Sequence, residues 1–180
     1  MCSRFALTAS PEAVAATFGL RVPPPWPERA EFRPTDLALA LAPEGPALLR
    51  WGLTVEWEPR PMINARLEGL GERATFRPLL GHRLLIPASA WWEWTPTRTK
   101  MRLSLDDDGL MAFAALRRDD RFVIITRAAP LALQAVHARM PALAGPGWLA
   151  DGSLDEAAAR RVIARPDRPR LLQGDLFGPW

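Results

Sequence analysis

Between Leu37 and Phe122 the chain never stays long in one pattern. Short apolar or alternating runs are broken every few positions by turn-forming residues, and none has the length or 3.6-residue period of a long helix. The candidate strands are Leu37–Leu41, Leu48–Val55, Leu84–Pro87, Trp91–Trp94, Met101–Leu105, Leu110–Leu116 and Phe122–Thr126. Met101, Leu103 and Leu105 alternate with Arg102 and Ser104, as a half-buried strand requires. Asp106-Asp107-Asp108-Gly109 between two such runs reads as a hairpin turn. Short strands at this spacing build an antiparallel barrel or a sandwich-like sheet.

Helices are confined to the flanks. Ser10-Pro11-Glu12 combines an N-cap, a proline at the first helical position and an acid in the first turn. Val14 and Phe18 then fall one turn apart, and Gly19 is a stop. Val22 to Pro27 is a proline-rich connector. Leu131–Val136 reads as a short helix ended by Pro141. Ser153-Leu154-Asp155-Glu156 is a capping box leading into a helix over Ala157–Ala164. The expected organisation is α+β: one domain over 1–165, mostly antiparallel and barrel-like with a few flanking helices, then an extended tail over 166–180.

A chain of 180 residues with 48% hydrophobic residues can bury one core. No apolar run approaches the roughly 20 residues of a membrane span, and the first ten residues lack the apolar stretch of a signal peptide. The single cysteine, Cys2, forms no intrachain disulfide and fits a reducing cytoplasm. One Cys with two His, His82 and His137, makes no usual zinc site, so neither metal nor cofactor is expected. The cationic side chains are nearly all Arg, which suits bidentate phosphate recognition. Eight Trp supply rings that could stack on bases, although most are expected in the core.

Cys2 follows the initiator Met1. Once Met1 is removed, one residue carries both a free α-amine and a thiol. Such a 1,2-aminothiol condenses with an aldehyde: the amine forms a Schiff base and the thiol closes a five-membered thiazolidine. Ring closure is intramolecular and gains a large effective molarity. An internal cysteine has its nitrogen tied up in a peptide bond and cannot follow this route.

Three other segments carry polar residues where a plain core would not. In Ile86–Trp94, Glu93 lies between tryptophans in an otherwise apolar strand. A carboxyl group there is desolvated, its pKa rises, and it becomes suited to acid–base work. In Val136–Pro141, His137 precedes a proline-terminated turn and can act as acid or base. In Ile63–Glu68, Asn64 and Arg66 fall on one face of an extended segment.

These blocks, in this order, resemble the SRAP family, named for SOS response-associated peptidase. The resemblance is carried by Met1-Cys2-Ser3-Arg4-Phe5, Trp51-Gly52-Leu53, Ile63-Asn64-Ala65-Arg66 with Glu68, His82–Ala88 running into Trp92-Glu93-Trp94, and Ile124-Ile125-Thr126 leading to His137-Ala138-Arg139-Met140-Pro141. It implies a mostly antiparallel β-barrel-like core and covalent capture of abasic sites in single-stranded DNA by Cys2. That would shield the lesion during replication and repair through lyase-like Schiff-base chemistry. By the resemblance Asn64 orients the Cys2 amine and thiol, Glu93 shuttles protons, and His137 assists sugar opening. Arg4, Arg66 and Arg139 hold phosphates, Trp57 stacks on a base, and Pro34 and Thr126 line the groove. The chain departs from the family pattern at Ser3 (glycine), Leu67 (a small polar residue), Glu31 in Glu31-Phe32-Arg33-Pro34-Thr35 (asparagine) and Ala90 (glycine).

The tail segment Gln173-Gly174-Asp175-Leu176-Phe177 is similar to the short motif with which bacterial repair proteins bind the DNA sliding clamp. Gln173, Asp175, Leu176 and Phe177 would carry that contact. Two other functions compete with aldehyde capture. One is an N-terminal-nucleophile peptidase, disfavoured because Met1 alone precedes Cys2. The other is a non-catalytic single-strand-binding module in which Cys2 is idle. The expected partner is single-stranded DNA, with no membrane, the expected location is the cytoplasm or nucleoid, and nothing in the sequence marks a dimer surface.

Overall fold

The computed structural model describes residues 2–22, 25–27, 29, 31–105, 109–149, 157, 159 and 161. The expected capping box, most of the helix after it and the whole tail with its Gln173–Phe177 motif lie outside the described residues, as does the Asp106–Asp108 turn.

Among the described residues there are twelve strands: β1 Phe5–Ala6, β2 Leu37–Ala42, β3 Gly45–Trp51, β4 Leu53–Val55, β5 Glu58–Met62, β6 Asn64–Arg66, β7 Arg83–Ala88, β8 Ala90–Trp94, β9 Lys100–Leu103, β10 Met111–Arg118, β11 Arg121–Ala128 and β12 Arg139–Pro141. Helix α1 spans Pro11–Phe18 and α2 spans Leu131–Gln134. Five strands pair in the order β10-β7-β2-β3-β11, and β11 pairs back to β10, giving a barrel-like ring. The ring is irregular. Strand β2 meets β7 at Leu41↔Leu85 alone, and β3 runs parallel to β11 through Arg121↔Arg50 and Phe122↔Trp51. Strands β7 and β10 are buried on both faces over most of their length, which explains their continuous apolar runs.

The second half of β11 organises the site. Beyond its contacts with β10 and β3, it takes β6 in parallel on one edge (Thr126↔Arg66) and β12 antiparallel on the other (Thr126↔Pro141, Ala128↔Arg139). Two distant segments, each only three residues long, are thereby brought to either side of Thr126. The expected strand Leu48–Val55 is instead two strands, broken at Gly52. There φ is 118°, a conformation open to glycine.

A separate three-stranded sheet, β1-β8-β9, carries the N-terminus. Phe5 pins it. Its ring stacks on Phe32 at 4.9 Å and meets Trp51 and Phe113 edge-on at 5.2 and 5.8 Å. Its backbone exchanges two hydrogen bonds with Phe32, 2.7 and 3.3 Å long. Aromatic pairs of this kind contribute about 0.5–1.5 kcal/mol each beyond burial. A two-residue strand is therefore held by its side chain, three positions from Cys2. In α1, Ser10 Oγ accepts from the Ala13 N–H at 3.2 Å and Gly19 closes the helix at φ 66°, as expected. Helix α2 ends two residues sooner than the sequence predicts, and Pro141 belongs to β12 rather than to a helix stop.

Candidate active site

Strand β8 alternates sharply. Trp91 and Glu93 point inward, 0% and 1% exposed, while Trp92 and Trp94 are half-exposed on the outer face. The sequence expectation for Glu93 is met: the carboxyl group is inside. Burial raises its pKa above the ordinary carboxylate range, and the nearby His137 offsets only part of that.

Cys2 is fully buried. Asn64 Nδ2 donates to the Cys2 carbonyl oxygen at 2.7 Å, a contact across 62 positions of sequence that fixes the residue beside the amide. The thiol makes a weak contact with the Arg4 carbonyl at 3.7 Å. Burial, and then the charge of Glu93, push the thiol pKa well up. Asn64 Oδ1 is buried with no hydrogen-bond partner among the described residues. An unpaired buried acceptor beside the Cys2 backbone is a place where an additional N–H donor would be favourable.

His137 lies just after α2, with Nδ1 4.0 Å from Glu93 Oε2. The Arg139 backbone N–H donates to His137 Nδ1 at 3.0 Å, so the neutral ring carries its proton on Nε2. When protonated, the same Nδ1 can instead donate to the Arg139 carbonyl oxygen, also 3.0 Å away. Its side chain is 29% exposed, so it stands between Glu93 and solvent.

The three arginines expected to bind phosphate differ. Arg66 is exposed, with Ala65 buried beside it, so it shares the outer face of β6 with Asn64. Arg139 is largely covered. Its Nη2 donates to Glu68 Oε2 at 2.8 Å and to the Thr126 carbonyl at 2.7 Å, and its Nε donates to Thr126 Oγ1 at 3.3 Å. Arg4 is ion-paired to Glu31 at 2.6 Å and lies over the Trp94 ring at 5.2 Å. Thr126 does not line a groove: it is 0% exposed, and its hydroxyl donates to the Ala65 carbonyl at 3.4 Å. Pro34 is half-buried in a turn beside Thr35, whose φ is 77°.

Trp57 tips the β4–β5 hairpin and is 71% exposed. One side of it opens onto a groove of about 670 Å³ that runs along β5 to Asn64. The groove thus joins an exposed indole to the residue that holds Cys2. Gly52 packs against Pro61 of the groove lining, since a Cβ there would come within 2.7 Å of Pro61 Cβ. Trp51 Nε1 donates to the Ile63 carbonyl at 2.9 Å, fixing the residue before Asn64.

Sequence reasoning missed several participants. Glu31, Lys100 and Glu68 partner the predicted arginines or sit beside them, yet Glu31 and Lys100 are 69 positions apart and nothing local links them. Most tryptophans were expected in the core; Trp92 and Trp94 are not among them, because period-2 alternation around an inward Glu93 places them outside. Among the described residues no group of three or more His, Cys, Asp or Glu side chains could hold a metal ion, and no helix is long and apolar enough to cross a membrane.

The chain is 42% identical over 78 residues to the abasic site processing protein YoqW of Bacillus subtilis, covering 38% of this chain and 35% of that protein. It is 33% identical over 133 residues to the abasic site processing protein YoaM of the same organism, covering 64% of this chain and 59% of that one. These matches therefore span less than two thirds of the relatives' own lengths. A crystal structure of a protein from Bacteroides thetaiotaomicron superposes with a TM-score of 0.76 over 90% of this chain and 86% of that one, at 19% identity. At that identity the likeness shows the fold. The sequence also matches the family described as SOS response associated peptidase (SRAP) over residues 1–170, which contains Cys2, Asn64, Glu93 and His137 alike: the chain belongs to the SRAP family.

Proposed function

We infer that this protein captures abasic sites in single-stranded DNA covalently, through a thiazolidine formed by Cys2 after Met1 is removed. One observation carries the reading. An amide and a desolvated carboxyl group, from β6 and β8, converge on the residue whose amine processing would free. The names of the relatives, abasic site processing proteins, point the same way.

The steps follow from the groups present. The α-amine of processed Cys2 adds to the C1′ aldehyde of the ring-opened deoxyribose, giving a carbinolamine. Protonated Glu93 donates to the departing hydroxyl, which leaves as water, and the imine forms. The thiol then adds to the imine carbon while its proton passes, through a neighbouring base, to the imine nitrogen that becomes the ring N–H, and the ring closes; the balance is one aldehyde consumed and one water released. A raised carboxyl pKa keeps Glu93 protonated to a higher pH than usual, which the dehydration step needs. The raised thiol pKa keeps sulfur neutral until a base removes its proton. Asn64 Oδ1 offers an acceptor for the freed amine. His137, reachable from solvent, would relay protons to Glu93 and meet the sugar. Arg66 and the groove ending at Trp57 would hold the strand, the indole stacking on a base. Arg139 would act by holding His137 and the β6–β11–β12 junction in place.

Intact mass measurement tests this directly. Loss of the Met1 mass, followed by a denaturation-resistant adduct with abasic single-stranded DNA that Cys2→Ala abolishes, is expected. A processed chain that forms no adduct would remove the reading and leave the peptidase and simple-binding functions.

A further inference from the structure

Glu31 is surrounded by cations. Its Oε1 accepts from Arg4 Nη1 at 2.6 Å and lies 3.4 Å from Arg33 Nε, and its Oε2 accepts from Lys100 Nζ at 2.6 Å. The carboxylate is the least accessible member, with a side chain 16% exposed against 31% for Arg4, 39% for Lys100 and 63% for Arg33. The cations therefore face solvent above it. Two of them are held a second way: Arg4 lies over Trp94 at 5.2 Å and Lys100 over Trp92 at 4.9 Å. Both indoles stand on the outer face of β8, on either side of the inward Glu93. Phe32 bridges to Phe5, which sets Glu31 beside Arg4 and hence two positions from Cys2.

We propose that Glu31 is a built-in competitor of the DNA backbone, occupying from beneath the N–H donors of a phosphodiester-binding subsite formed by Arg4 and Lys100, with Arg33 at its rim, and so holding down affinity for undamaged single strand. The proposal rests on the single-strand reading above. An anion arriving from solvent meets three cations already partly neutralised by one carboxylate. Burial works against the charge of Glu31, yet Lys100 and Arg4 hold its pKa below the ordinary range, so it is ionised wherever DNA would bind. The carboxylate has two opposing effects: it organises the cations and it cancels charge. The indoles duplicate the first effect, so the second decides. Weak grip on intact DNA is useful to a protein that retains its target by a covalent bond, because residence is then decided by the aldehyde and not by the backbone.

The test uses the full chain carrying Cys2→Ala, with labelled single-stranded DNA lacking any lesion, and reads anisotropy across a salt series. Glu31→Gln is expected to tighten binding roughly three- to tenfold at low salt, and to steepen the log K against log salt slope by about 0.7 for each cation released to a phosphate. Lys100→Gln is expected to weaken binding and flatten the slope by about the same amount. Weaker or unchanged binding by Glu31→Gln, or an unchanged slope in Lys100→Gln, overturns the inference while DNA binding itself stands. If no form of the chain binds single-stranded DNA, the functional reading beneath it falls as well, and the two failures are told apart by that control.

Discussion

Gly52→Ala probes the site from behind. Gly52 sits at φ 118°, where an L side chain is strained, and an added Cβ would lie 2.7 Å from Pro61 Cβ, closer than two carbons tolerate. The backbone cannot simply move away, because the Gly52 N–H donates to the Phe122 carbonyl at 2.8 Å and its own carbonyl accepts from Arg121 at 3.1 Å. The conformational strain is about 1–3 kcal/mol and the overlap with a ring-locked neighbour adds about 1–3 kcal/mol. A total of roughly 2–6 kcal/mol lowers Tm by roughly 4–24 °C for a chain of this size. The overlap also has a direction. Pro61 belongs to β5, which leads through Ile63 to Asn64, so relieving it shifts the residue that grips Cys2. Thermal melting and crosslink yield on abasic single-stranded DNA, both at a temperature where the variant is folded, separate the two effects. The expectation is a lower Tm with a reduced yield. A Tm within 2 °C of wild type would refute the steric argument, and a lowered Tm with full yield would refute the link from Gly52 to Asn64.

Glu93→Gln is expected to crosslink about 10²–10⁴-fold more slowly while melting higher at neutral pH. The folded-state pKa is raised, so the ionised carboxylate opposes folding above it, each tenfold change in proton affinity being worth about 1.4 kcal/mol. Wild type recovers that loss as pH falls through the raised value, so the Tm advantage of the variant should shrink on acidification; a constant or negative difference contradicts the assignment. For the tail, changing Leu176 and Phe177 together to Ala is expected to abolish retention on the immobilised bacterial sliding clamp without altering crosslinking, and equal retention removes that contact.

Six of the seven strands read from the sequence exist with shifted ends, and the seventh, Leu48–Val55, is divided at Gly52 into β3 and β4; each was legible because it carries enough apolar or alternating residues to show a period. The strands that escaped are of another kind. Strand β5 contains Pro59 and Pro61, which argue against a strand unless it lies on an edge, and pairs only with β4 among the described residues. Strands β1, β6 and β12 have two or three residues each, too short for any periodicity, and exist because Phe5 and β11 supply partners. The site divides along the same line. Glu93 was legible because one acid in an apolar strand is a local anomaly, and Asn64 and Arg66 because alternation sets their common face. Glu31 was visible only as a departure from the family pattern. Its meaning depends on Arg4 and Lys100, 27 and 69 positions away, and no local pattern encodes such a meeting. Thr126 misled for a related reason: on a strand flanked on both edges its side chain is inside, and its hydroxyl serves Arg139.

The placement of two functions on β8 has a consequence for how the site can vary. Side chains on a strand alternate between faces, so a slip of one residue in register would carry Glu93 to solvent and a tryptophan to Cys2. The buried carboxyl group and the cation-bearing outer face would be lost together. The register is held from both edges, by Phe5↔Trp91 and Ala6↔Ala90 on one side and by Trp91↔Leu103 through Trp94↔Lys100 on the other. Trp91 is the shared element: it pairs on both edges, is fully buried, and meets Phe113 of the ring edge-on at 6.2 Å. The ring therefore fixes the phase of the smaller sheet through Trp91 as well as through Phe5. That phase in turn decides which side chains face Cys2 and which carry the cations on the outer face.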